Sequence, residues 1–180
     1  MSTRRTSISA FLDTSAFIPL LDGANVLHAK LVQHLSTAKA FVGIDTVVLS
    51  EFLVGMADVS ERETVAEKCT KQFRVYSFDT QTAVVCAELF KILKGKGQIP
   101  KTPTKRQLTK VDVMIMASAI VSGASEFIFE DGHFANYPAL LPDSVCGRPL
   151  PSFVRVSKLP SVVVQENLPD FAGSSILLTR

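Results

Sequence analysis

Short apolar runs at residues 8–12, 40–44, 74–78 and 127–129 alternate along the chain with longer stretches of helical spacing. That alternation is the strongest constraint on what the chain can fold into. Runs this short and this continuously apolar read as strands buried on both faces, and such strands belong to parallel sheets with helices on either side. Between the first two, Val26, Leu27, Leu31, Val32 and Leu35 recur at helical spacing within residues 25–35. Asp45 or Thr46 can cap a helix over 47–56, and Ser60 with Glu63 forms a capping box for one ending near Gln72. Asp79 or Thr80 can open another that Gly95 and Gly97 stop, and Thr109 is placed to cap an apolar helix over 111–121, ended by Gly123. The sequence therefore predicts an α/β fold in which helices cover both faces of a mainly parallel central sheet.

The pattern occupies residues 1–141, read as one domain; 180 residues, 47% of them hydrophobic, are enough for a sizeable core. Beyond Leu141 five prolines lie among short β-like runs, such as 153–156 and 162–164, and one of these could supply a last strand. The end, residues 172–180, has no packing pattern and is expected to be disordered. No apolar run reaches the roughly 18 to 20 residues of a membrane span. Arg4 and Arg5 ahead of the first apolar run resemble the start of a signal peptide, but Asp13 falls where that run would have to continue. Cys69, Cys86 and Cys146 are odd in number and lack C-x-x-C spacing, which argues against disulfides and zinc knuckles and for a reducing, cytoplasmic setting.

Net charge is only +2, yet Lys91, Lys94, Lys96, Lys101, Lys105, Arg106 and Lys110 fall in one acid-free stretch. The rest of the chain is consequently net acidic. With two glycines and two prolines in residues 95–110, the stretch reads as a loop, suited to a polyanion or simply solvated.

Acidic residues also sit inside apolar segments, where an ionised carboxylate is disfavoured unless paired or bound to a metal. Asp13 ends the first strand, Asp131 follows the fourth, Glu51 lies within VVLSEFLVGM, and Asp112 opens VDVMIMASAIV. At the carboxyl edge of a parallel sheet these four can converge. Four gathered carboxylates repel and call for a compensating cation, and oxygen-only ligands favour Mg²⁺ or Mn²⁺. Each also has an ordinary role open to it: Asp13 as a turn cap, Asp112 as a first-turn acid favoured by the helix dipole, Glu51 on an exposed face, Asp131 in a turn before Gly132. Asp45 and Asp79 are assigned to helix caps, and His28, His34 and His133 to no chemistry. Phosphate-binding glycine loops and a nucleophile elbow are missing from the sequence.

Taken in order, LDTSAFI at 12–18, LSEFLVG at 49–55, VDVMIMASAI at 111–120 and FEDGHF at 129–134 resemble the motifs of the PIN-domain family, particularly its VapC-type toxin ribonucleases. The resemblance covers roughly residues 7–140. It implies a three-layer α/β/α sandwich and metal-dependent endonucleolytic cleavage of RNA. It further implies a homodimer and, for a toxin, a cognate antitoxin protein. On it, Asp13, Glu51, Asp112 and Asp131 are the acidic quartet that holds Mg²⁺ or Mn²⁺, and Ser15 is the small hydroxyl residue that follows the first acid. Lys101, Lys105, Arg106 and Lys110 would then meet the RNA backbone. Two features depart from the family pattern: Phe129 and Glu130 stand where Thr or Ser often precedes the fourth acid, and the segment after Leu141 is long. A PIN-like fold without catalysis, binding RNA or protein, and a structure-specific DNA nuclease are the alternatives.

Overall fold

The structure is a computed structural model and describes residues 8–161. Its centre is a five-stranded, wholly parallel sheet ordered β3-β2-β1-β4-β7. β1 (Ala10–Leu12) leads through α1 (Thr14–Leu21) and α2 (His28–Thr37) to β2 (Val42–Asp45). From there α3 (Thr46–Val54) and α4 (Val59–Gln72) lead to β3 (Arg74–Tyr76). The chain then crosses back through α5 (Thr80–Gly95) and α6 (Pro103–Ser122) to β4 (Glu126–Phe129), on the other side of β1. A 3-10 turn (Gly132–Asn136), α7 (Tyr137–Leu140) and a small hairpin of β5 (Ser144–Val145) and β6 (Arg148–Pro149) precede β7 (Ser152–Arg155), which pairs with β4. The run at 153–156 thus contributes to the last strand, while 162–164 and 172–180 lie outside the described residues. No helix among the described residues is long and apolar enough to cross a membrane.

Every residue of β1 and β2 is buried, which requires helices on both faces and explains why these strands read as apolar runs rather than alternations. On one side Phe17 of α1 makes edge contacts with Phe52 and Phe73, centroids 5.4 and 5.2 Å apart. Elsewhere Phe127, Phe129, Phe134, Phe153 and Tyr137 form a continuous aromatic cluster. Gly43 of β2 lies under the side chains of Ile8 and Phe11; a Cβ there would meet Ile8 Cδ1 at 2.8 Å and Phe11 Cδ2 at 3.1 Å. Gly123 closes α6 in the left-handed conformation, φ 71°, which glycine adopts without a Cβ penalty.

Three local expectations change. Asp58, one residue outside α4, is its cap, accepting from the Ser60 and Glu61 amides, so the Ser60–Glu63 box does not form. α1 continues through Pro19, the sixth of its eight residues, where the missing N–H costs the helix one hydrogen bond. The basic stretch is not one loop. α6 begins at Pro103, in the helix-starting position that proline favours, and carries Lys105, Arg106 and Lys110. Thr109 is therefore inside the helix, its hydroxyl donating to the Lys105 carbonyl at 3.0 Å, rather than capping it.

Candidate active site

The strand order places a topological switch between β1 and β4: the chain leaves β1 towards β2 and β4 towards β7, opening a crevice at their carboxyl ends. Asp13 and Asp131 are the residues that these exits deliver to it. A cleft of about 570 Å³ lies there, lined by Asp13, Thr14, Ser15, Ile18, Pro19, Glu51, Leu108, Asp112, Asp131 and His133. All four acids and Ser15 are brought together. Glu51 enters from α3 and Asp112 from the middle of α6, two and a half turns inside the helix, so the helix dipole does not account for Asp112.

Each acid is held. Asp13 is 4% exposed and caps α1, accepting from the Ser15 amide at 3.0 Å and the Ser15 hydroxyl at 2.5 Å. The turn-cap role and the cleft position thus coexist. Glu51 is exposed towards the cleft and accepts from the Thr14 hydroxyl. Asp131 caps the 3-10 turn through the His133 amide at 2.9 Å. Ser15 does more than follow Asp13: its oxygen also accepts from the amides of Glu130 and Asp131 at 2.9 and 3.1 Å, tying the two strand exits together.

Burial, followed by the charge of Asp13, pushes the Asp112 carboxyl up to about 7, and His133 partly opposes this. Asp13 is itself raised, chiefly by burial, against the hydrogen bonds from Ser15. Behind them the Tyr137 hydroxyl is pushed up to about 12, by burial and then by Asp112 and Asp131. The basic side chain among the residues lining the cleft is His133, whose Nδ1 lies 3.7 Å from Asp112 Oδ2 and whose ring is 62% exposed. Sequence reasoning alone assigns His133 no role; its place two residues after the fourth acid is the available signal.

Among the described residues no group of three or more His, Cys, Asp or Glu side chains is already arranged to hold an ion. Asp13, Glu51 and Asp131 are instead turned to hydroxyl and amide donors. The chemistry of the donor set nevertheless fits a hard divalent cation, since carboxylate oxygens from four side chains converge on one cleft, where two of the carboxyls are raised chiefly by burial.

The basic residues do not line the cleft. Lys105 lies two turns before Asp112, on the same helix face, whereas Lys110 projects about 160° away at 3.6 residues per turn. Arg106 is engaged with the chain itself, donating to the carbonyls of Pro100 and Lys101 at 3.3 and 3.2 Å. Lys101 is exposed ahead of the helix. Asp45 and Asp79 act as helix caps, as the sequence indicates; Asp45 is fully buried and also accepts from the Ser118 hydroxyl of α6.

Comparison with known proteins agrees with this architecture. The structure of DNA-bound VapBC from Salmonella typhimurium is similar over 83% of this chain and 98% of its own, with a TM-score of 0.56 and 17% identity. VapBC-1 from nontypeable Haemophilus influenzae is similar over 84% of this chain and 100% of its own, TM-score 0.57, 16% identity. A toxin-antitoxin complex from Klebsiella pneumoniae covers 76% of this chain and 98% of its own, TM-score 0.51, 20% identity. No curated protein matches in sequence. At these identities the structures establish the fold. The sequence signature of the PIN domain matches residues 10–140, most of the chain, and with the three-layer fold and the order of its motifs it settles the family: the chain belongs to the PIN domain family.

Proposed function

We propose that the chain is a divalent-metal-dependent endoribonuclease, the toxin of a toxin–antitoxin pair, with Asp13, Glu51, Asp112 and Asp131 as the residues that would hold Mg²⁺ or Mn²⁺. The observation that carries this reading is the convergence of four carboxylates from β1, α3, α6 and the β4 exit on one cleft, with Asp112 raised to about 7 by burial and by Asp13. A buried carboxyl raised in this way is a poor structural feature and a good ligand. A bound divalent ion supplies neutralisation of phosphate charge and a more acidic water.

The chain's own groups divide the remaining work. Ser15 keeps Asp13 and the Asp131 turn at a fixed separation through its three hydrogen bonds. Thr14 holds Glu51 at the cleft wall. The exposed His133 ring can donate to a substrate phosphate at the mouth, while Ile18, Pro19 and Leu108 give the cleft an apolar rim against which a sugar or base can lie. Lys105 extends a positive contact along the α6 face, a sequence-independent attraction for the backbone.

An antitoxin partner is supported by the likeness to the Klebsiella pneumoniae toxin-antitoxin complex, and a homodimer by the family resemblance. The test is cleavage of a panel of structured RNAs and matching DNAs in Mg²⁺ or Mn²⁺, with a chelator control and Asp13→Asn. Cleavage of RNA that needs the metal and Asp13 supports the reading; cleavage after chelation, or by Asp13→Asn at the wild-type rate, overturns it. Preference for DNA would redirect it to DNA.

A further inference from the structure

Two features stand apart from the PIN sequence motifs, Glu130 beside the fourth acid and the chain beyond the end of the sequence match at residue 140, and the structure joins them. Glu130 is not a fifth member of the acidic cleft: one carboxylate oxygen accepts from Arg155 Nε at 3.2 Å, the other from the Ser157 amide at 2.7 Å. Both donors follow the end of the family match. The register of β4 against β7 sets Arg155 opposite Phe129, which brings its guanidinium next to Glu130. Lys30 of α2 fastens the same segment from behind, its ammonium donating to the carbonyls of Ser157 and Leu159, each at 3.1 Å.

The two residues that carry Asp131 into the cleft are therefore gripped from opposite sides. Ser15 takes their backbone amides, and the C-terminal segment takes the Glu130 side chain. Because Glu130 and Asp131 are adjacent, rotation of the Glu130 backbone swings Asp131 directly. We infer that Arg155, with Glu130, is a positioning pair for the cleft: the strand supplied after residue 140 sets the direction of the fourth acid as well as covering a sheet edge. This rests on the reading of the four acids as metal ligands.

A pair this open, with side chains 37% and 23% exposed, adds little to global stability, so its removal separates orientation from folding. Outer residues that orient metal ligands typically alter metal affinity about 10–100-fold, and one acting through a neighbouring backbone belongs at the low end. The experiment is calorimetric titration of the full chain with Mn²⁺, alongside melting in chelator and RNA cleavage. Arg155→Ala and Glu130→Ala should each weaken Mn²⁺ binding about 10-fold, with the double variant no weaker than either. Melting should hardly change, and kcat should fall with little change in KM. Glu130→Gln, which can satisfy only one of the two donors, should fall between. Lys30→Ala, which loosens the segment without touching Glu130, should lower the melting temperature and leave Mn²⁺ affinity unchanged.

If wild type binds Mn²⁺ and Arg155→Ala and Glu130→Ala bind it equally well, this inference fails and the acidic site stands. If Lys30→Ala loses affinity as Arg155→Ala does, the segment is merely structural and the inference also fails. A wild type that does not bind Mn²⁺ removes the metal-site reading itself.

Discussion

Replacing Asp112 by Asn should make the metal-free protein more stable at pH 8 and no more stable at pH 4. The wild-type carboxyl is raised from 3.8 to about 7, first by burial and then by Asp13. In the native state it therefore binds a proton over a pH range where the unfolded chain has already released it. Stability contributed by the protonated form is complete below about pH 4 and is lost as pH rises to about 7, beyond which the loss is constant. At about 1.4 kcal/mol per pKa unit the unscreened ceiling is about 4 kcal/mol, and solvent at a side chain 20% exposed reduces this to roughly 1–2 kcal/mol. Asn keeps the shape and removes the charge, so the variant should gain about that amount at pH 8. For a chain of this size that corresponds to roughly 2–8 °C in melting temperature. The His133 contact is lost too, but a pair with so open a histidine offsets little. The assay is thermal melting in chelator from pH 4 to 9 for both proteins. Parallel pH profiles, or a variant less stable than wild type at pH 8, would refute the account of Asp112 as a strained carboxylate.

Ser15→Ala removes one hydroxyl that serves Asp13 and two backbone amides; melting should report a loss of about 1–3 kcal/mol, with Ser15→Thr recovering most of it. Ser118→Ala leaves one oxygen of the fully buried Asp45 without its hydroxyl and should cost about 1.5–3 kcal/mol in chemical denaturation. Mn²⁺ at about 100 times its dissociation constant should stabilise wild type by about 2.7 kcal/mol, an effect that chelator reverses and Asp13→Asn largely removes. In salt titrations of RNA binding, Lys105→Ala should reduce the slope of log affinity against log salt by about 0.7, whereas Lys110→Ala, on the far side of α6, should leave it unchanged.

Much of this was legible from residue order alone, for definite reasons. Strands buried on both faces announce themselves as uninterrupted apolar runs, and a carboxylate at the end of such a run has few ways to be satisfied, so Asp13 and Asp131 stood out. The apolar surroundings of Asp112 mark it in the sequence, whereas the apolar pattern starts its helix at residue 111, eight residues after its actual start at Pro103. Residues 103–110 are polar and exposed on most sides, and a segment without an apolar stripe gives no periodicity to read; only Pro103 marked the start. His133 and Glu130 were opaque because their meaning lies in partners distant along the chain, Asp112 and Arg155, which only the β1–β4–β7 pairing brings near. The same holds for the second role of Ser15, whose amide donors lie 115 and 116 residues away.

The position of β1 in the middle of the sheet has a consequence for synthesis. Its pairing with β2 closes a short stretch of chain, but its pairing with β4 must wait until residue 126 and its successors have been made. Chains fold from the amino end as they emerge, and closing long loops is the slow part of acquiring a parallel sheet. A nascent chain halted after α5 thus carries Asp13 and Glu51 but lacks Asp112, Asp131 and the strand that defines the crevice. On the proposed reading, a chain built in this order cannot assemble its four-acid cleft until residue 131 has been made, so a nascent chain halted earlier carries no complete site.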